Sequence, residues 1–158
     1  MRSEPRPHQR PGHRQRHPFV SGFLLDTNVI SEMARPRPDP RIVQWIGNTD
    51  EDLLHLSVLT IGEIRRGIHL LAEGSRRAAL EAWLDRNLVL RFSGRVLPVS
   101  LAVADRWGQI SATAKRSTIP VVDGLLAATA IHHNLTIVSR DETFCRIAGV
   151  DLFNPWKV

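Results

Sequence analysis

From Phe23 onward the chain alternates between two kinds of apolar pattern. Short runs at 23–25 (FLL), 53–56 (LLHL), 95–99 (RVLPV), 135–138 (LTIV) and, more weakly, 150–153 (VDLF) have the length and composition of buried strands. Segments with a helical period lie between them. Over 58–71, Ile61, Ile64, Ile68 and Leu71 recur at steps of three and four, and over 100–116, Val103, Trp107, Ile110 and Ala114 do the same. Segments 28–34, 40–47, 76–90, 121–132 and 141–148 complete the helical set. Asp39-Pro40 reads as an N-cap with proline at the first helical position, Gly74 as a break and Asn134 as a helix stop.

Strands that alternate with helices predict an α/β fold, a three-layer α/β/α sandwich around a central parallel sheet of four to five strands. In open sheets of this kind ligands gather beyond the carboxyl ends of the strands, where the strand order reverses. Candidate chemistry is therefore sought at strand-to-helix junctions.

Composition narrows the reading. A chain of 158 residues fits one compact domain, here 21–158, and so one site. The formal charge of +5 would suggest an anionic partner, but its distribution weakens that inference. Residues 1–20 hold arginines 2, 6, 10, 14 and 16 against Glu4, so the rest of the chain is close to neutral. This stretch, MRSEPRPHQRPGHRQRHPFV, has almost nothing to bury and is predicted to be a disordered basic arm, either merely solvated or in electrostatic contact with RNA or DNA. The single cysteine, Cys145, excludes an internal disulfide framework and fits a reducing compartment. No apolar run approaches the roughly 18 residues of a membrane span, and no apolar segment of a signal peptide follows the first arginines. The expectation is a cytoplasmic protein with no membrane association.

Four carboxylates stand at junctions of the predicted kind. Asp26 closes the first strand in LLDTNVI, where capping of the next helix would be sufficient reason for it. Glu63 lies beside the apolar stripe of the 58–71 helix, and Gly62 and Gly67 in that helix suggest a close backbone approach. Asp123 follows Pro120 at the start of an otherwise apolar helix. Asp141 follows the 135–138 strand, where Ser139 and Glu142 make the S-x-x-E pattern of a capping box and Asp141 complements the helix dipole. Capping explains each acid singly but does not explain their recurrence. Carboxylates brought together repel one another and raise each other's pKa unless a cation offsets the charge. Mg²⁺ takes oxygen ligands, keeps several waters and is held by one or two direct carboxylates, whereas no His or Cys constellation favours zinc. Asp105 lies mid-helix off the apolar stripe, with Gln109 one turn away, and reads as structural.

The blocks LLDTNVIS, TIGEIRRGI, VVDGLLAATA and IVSRDETFCRIAGVDLFNPW, in that order, resemble a PIN domain, most closely the VapC-type toxins of bacterial toxin–antitoxin pairs. The resemblance spans about 23–158 and leaves the arm uncovered, for which a mis-set start codon is one account. It implies an α/β/α fold whose clustered acids bind Mg²⁺ or Mn²⁺ and hydrolyse RNA phosphodiester bonds. It also implies a homodimer and a cognate antitoxin protein. The family's acids fall on Asp26, Glu63, Asp123 and Asp141, which are the expected catalytic and metal-holding residues. Thr27 lies beside the first acid as a support for the metal shell. Asn28, Ser139 and Arg140 are candidates for hydrogen bonds to the ligating groups or for contacts to phosphate.

Basic groups around the acids must supply affinity for RNA, and Arg65, Arg66 and Arg140 are nearest by sequence. Two other hypotheses compete. An aspartate-nucleophile phosphatase would want a second acid at position 28, where this chain has Asn28. A PIN scaffold that binds RNA or a protein partner without cutting would leave no cleavage products. The tryptophans, Trp45, Trp83, Trp107 and Trp156, are expected to fill the core or an intersubunit face.

Overall fold

A computed structural model describes residues 21–114 and 118–158. The basic arm and residues 115–116 of the predicted 100–116 helix lie outside the described residues. Within them, five parallel strands form one sheet: β1 (Phe23–Leu25), β2 (Leu54–Ser57), β3 (Val96–Leu97), β4 (Thr136–Val138) and β5 (Leu152–Phe153). Their spatial order is β3-β2-β1-β4-β5. From β1 the chain builds outward through β2 to β3, then returns to place β4 and β5 on the other side of β1. The strand order therefore reverses between β1 and β4.

The helices are α1 (Thr27–Met33), α2 (Pro40–Gly47), α3 (Val58–His69), α4 (Ser75–Ala82), α5 (Val89–Arg91), α6 (Leu101–Thr113) and α7 (Val121–His133). Successive strand residues serve opposite faces of the sheet. Leu25 and Val138 join Val29, Ile30, Ile42, Leu84 and Phe92 in one core, whereas Leu24 and Ile137 join Val103, Leu126 and Ala127 in the other. Both faces are covered, which is why β1 and β4 read as unbroken apolar runs rather than as alternation. These two cores make the three layers that the alternation of strands and helices predicts.

Several boundaries follow their local chemistry. Asp39 caps α2 by accepting from the Arg41 backbone N–H, and Pro40 opens it. Asn134 ends α7 in the left-handed conformation at φ 54°. Three segments depart from the periodicity. The predicted 76–90 helix is α4, then a π-helical stretch at Trp83–Leu88, then α5. The wider turn keeps Leu84, Leu88 and Phe92 all buried in one core, at the cost of regular helical bonding. The predicted 95–99 strand is only two residues long, because Pro98 has no N–H to extend the ladder. The predicted 141–148 helix is a short 3₁₀ turn, Glu142–Arg146, followed by Gly149 at φ 86°.

The glycines also sort differently. A Cβ at Gly62 or Gly67 would meet nothing within 4 Å, so the close approach expected there does not occur. It occurs at Gly124 instead, where a Cβ would lie 3.0 Å from Cδ1 of Trp107. That glycine lets the indole of α6 rest against the backbone of α7. All four tryptophans are half-buried against one core or the other, and Trp45 meets Phe23 edge-on at 5.2 Å. Among the described residues no helix is long and apolar enough to cross a membrane.

Candidate active site

The site is built at the carboxyl ends of β1 and β4. The backbone N–H of Asp26 donates to the Val138 carbonyl at 3.0 Å, which carries the strand pairing one residue past β1. The chain then turns into α1, with Asp26 in extended conformation as its N-cap. Oδ1 of Asp26 accepts from the Thr27 N–H at 2.7 Å. Oδ2 accepts from the Ser139 hydroxyl at 2.7 Å and from Nδ2 of Asn28 at 3.2 Å. Capping and site geometry thus coincide in one carboxylate.

Ser139 is wholly buried at the end of β4. Its oxygen also accepts from Nδ2 of Asn28 and from the Asp141 N–H, each at 2.9 Å. The capping box expected from Ser139 and Glu142 does not form, because the serine is engaged by these partners. Asp141 caps the turn itself, with Oδ1 accepting from the Thr143 N–H at 2.9 Å, and Glu142 pairs with Lys157. Glu63 is brought in from the second turn of α3, where its Oε2 accepts from the Thr27 hydroxyl. Asp123 stands in the first turn of α7.

Electrostatics couples these four segments. Burial pushes the Asp26 carboxyl above its ordinary value, hydrogen bonds from Ser139 and Thr27 oppose the shift, and the charges of Glu63 and Asp141 add to it. Asp123 is raised first by burial and then by Asp26, Asp141 and Glu63. Four acids from distant parts of the chain therefore share one electrostatic neighbourhood at the switch point of the sheet. Asp105 lies outside it, exposed on α6, and accepts from Nε2 of Gln109 at 3.2 Å, as its structural reading requires.

As the side chains lie, no three His, Cys, Asp or Glu residues among those described form a group that could hold a metal ion. The donor chemistry nevertheless fits a hard cation, since the set consists of carboxylate oxygens without thiol or imidazole. Oδ1 of Asn28 adds a buried acceptor without a hydrogen-bond partner. An ion with one or two direct carboxylates and a water shell matches this arrangement better than an all-protein cage.

The basic candidates separate. Arg65 pairs with Asp85 in the π-helical stretch, and the exposed Arg140 lies over the Trp156 ring at 5.6 Å from its centroid. Arg66 is exposed one turn beyond Glu63 on α3; its carbonyl accepts from the Leu70 N–H, and among the described residues its guanidinium has no hydrogen bond or ion pair. One buried acid went unread in the sequence. Glu32, 6% exposed, accepts from the Asp39 N–H at 2.9 Å and pairs with Arg35, so it organises the loop after α1 rather than the site. Its helical setting offers no periodic signal that would have marked it.

The PIN domain family model matches residues 23–150. Toxin FitB from Neisseria gonorrhoeae is 41% identical over 136 residues, which cover 85% of this chain and 98% of that protein. VapC ribonuclease Y4jK from Sinorhizobium fredii is 36% identical over 137 residues, with 85% and 98% covered. The crystal structure of FitAcB from Neisseria gonorrhoeae matches with a TM-score of 0.81 and 40% identity, covering 86% of this chain and 99% of that one. With a family model over most of its length and relatives of this identity along nearly theirs, the chain belongs to the PIN domain family, alongside the FitB and VapC proteins.

Proposed function

We infer that this chain is the toxin of a toxin–antitoxin pair and that it is a divalent-metal-dependent ribonuclease hydrolysing RNA phosphodiester bonds. The observation that carries the reading is the convergence of Asp26, Glu63, Asp123 and Asp141 in one electrostatic neighbourhood where β1 and β4 meet. Relatives named as a toxin and as a ribonuclease support it. The cognate antitoxin, a homodimer and a cytoplasmic location follow from the same reading.

Asp26 and Asp123 are the direct ligands in this proposal, and Glu63 and Asp141 orient water or a second ion. A bound Mg²⁺ or Mn²⁺ supplies Lewis-acid stabilisation of charge on the phosphate and a lowered pKa for the attacking water. The protein's part is to hold its carboxylates in place before substrate arrives. Asp26 is fixed at both oxygens by Thr27, Ser139 and Asn28, and Glu63 is fixed through the Thr27 hydroxyl. Arg66, one turn from Glu63 and with no carboxylate on its guanidinium, is the candidate contact to the RNA backbone in this reading. Arg140, exposed and over the Trp156 ring, is a second candidate for contact with phosphate.

Purified protein incubated with total RNA, with and without Mg²⁺, tests the activity. Cleavage that needs the ion, with defined cut ends, is the expected result; intact RNA at high protein concentration would reject it. Growth arrest on expression, relieved by a neighbouring small gene, tests the toxin role separately. A non-catalytic PIN-fold binding module is the second reading, favoured by the lack of a preformed three-ligand group among the described residues. Chelator-insensitive RNA binding without cleavage would establish it.

A further inference from the structure

We propose that Ser139 is the positioning residue of the carboxylate site: its buried hydroxyl at the end of β4 sets the orientation of Asp26 and the turn that presents Asp141. The proposal rests on the nuclease reading above.

A serine hydroxyl has one proton to give and two lone pairs to share. Ser139 spends all three inside the site. Its proton goes to Oδ2 of Asp26 at 2.7 Å, and its oxygen receives Nδ2 of Asn28 and the Asp141 N–H, each at 2.9 Å. Asn28 closes the ring by also donating to Oδ2 of Asp26 at 3.2 Å. With Thr27 N–H on the other carboxylate oxygen, the Asp26 group is pinned from both sides and cannot turn about its Cβ–Cγ bond without breaking a bond. One acceptor position, on Oδ1, is left open in a fixed direction, as an ion ligand requires.

A purely structural hydroxyl would behave otherwise. Buried Ser and Thr side chains on regular elements commonly satisfy their proton on a nearby carbonyl. Thr129, equally buried, does this with the Leu125 carbonyl at 2.8 Å. Ser139 instead bonds a carboxylate 113 residues away in the chain, across the point where the strand order reverses. Such charge-assisted bonds are about twice as strong as neutral ones, which suits a clamp on a group that must not move.

The test uses the full chain and two readouts, the Mg²⁺ concentration that half-saturates the rise in Tm and steady-state RNA cleavage. Ser139→Ala is expected to raise that Mg²⁺ midpoint by about 10-fold or more, in line with lost outer partners of metal ligands, and to lower kcat with KM for RNA little changed. Ser139→Thr, which keeps the hydroxyl, is expected to restore most of both. Thr129→Ala removes a comparable buried hydrogen bond outside the site, and is expected to lower Tm while leaving the midpoint unchanged. A Ser139→Ala protein that lost stability as Thr129→Ala does, yet kept the wild-type midpoint and kcat, would overturn the role. If Ser139→Ala does not fold, Ser139→Cys stands in for it, keeping the side-chain shape with only a weak S–H donor: a raised midpoint supports the clamp and an unchanged one overturns it. A wild-type chain with neither an Mg²⁺-dependent rise in Tm nor cleavage would overturn the nuclease reading and this role together. A responsive wild type beside an equally responsive Ser139→Ala overturns this role alone.

Discussion

The Thr27 hydroxyl donates to Oε2 of Glu63, tying the first turn of α1 to the second turn of α3 across 36 residues. Without it, a half-buried glutamate on a surface helix would sample several rotamers, since Glu loses much side-chain entropy when ordered. Thr27→Ala is therefore expected to lower ribonuclease activity by about 10-fold while changing Tm little, and Thr27→Ser to lie near wild type. Initial cleavage rates at saturating Mg²⁺ decide this, and equal activity in all three would remove Thr27 from the site.

The acids themselves should be less forgiving. Loss of an outer partner of a metal ligand costs 10- to 100-fold, so Asp26→Asn or Asp123→Asn should lose on the order of 100-fold or more in activity. The same variants should also lose the Mg²⁺-induced rise in Tm. In the wild type that rise corresponds to about 2.7 kcal/mol when the ion is at 100 times its Kd. Full metal-dependent activity in either variant would unseat the assignment.

Metal-free stability should move in the opposite direction. The folded Asp123 carboxyl is raised above 3.8 by burial and by three neighbouring acids, so the folded chain binds this proton more tightly than the unfolded chain does. Between 3.8 and the raised value, stability grows as pH falls; above it, the cost of the ionised group is fully present. In EDTA, Asp123→Asn should melt above wild type at neutral pH. The gap should close as pH approaches 3.8. Paired melts across this range isolate the effect from Asp39 and Glu51, whose carboxyls are held low by Arg41 and by Arg91 with Arg95 and so respond with the opposite sign. A variant less stable than wild type at every pH would contradict the electrostatic picture.

Arg66 should act on binding rather than on chemistry. Arg66→Ala is expected to raise KM for RNA severalfold, leave kcat nearly intact and reduce the slope of log affinity against log salt by about 0.7, as for one lost contact to single-stranded phosphate. Arg65→Ala should do less, because its guanidinium already pairs with Asp85. Salt-dependent binding of the inactive Asp26→Asn chain separates the two.

Two glycines should respond in opposite senses to the same methyl group. Gly67→Ala adds a Cβ in open space within α3 and should stabilise by up to about 1 kcal/mol through helix propensity. Gly124→Ala places its Cβ 3.0 Å from the Trp107 ring and should destabilise by about 1 kcal/mol, because α6 and α7 must separate to receive it. Chemical denaturation measures both, and a stabilised Gly124→Ala chain would show that the indole has room to shift.

Much of this fold is legible in the sequence wherever a local signal coincides with a tertiary need. Asp39-Pro40 marks the start of α2 because the cap and the proline act within a few residues. Asn134 ends α7 for a similar local reason. The π-helical stretch after α4 is not legible, since it answers to the phase of Leu84, Leu88 and Phe92 against a distant core. The 3₁₀ turn after β4 is hidden in a related way. Ser139 and Glu142 have the spacing of a capping box, but the serine is claimed by Asp26, which no local rule can foresee. For the carboxylates, residue type and junction position are visible in the chain, whereas their meeting depends on a strand order that periodicity does not encode.

That strand order has a consequence for synthesis. β4 is the fourth strand in chain order yet lies beside the first, so Asp26 meets Ser139, 113 residues further along, only after the chain between them has been made. A growing chain carries its first two acids without the second pair, and the carboxylate cluster stays incomplete until β4 has joined the sheet beside β1.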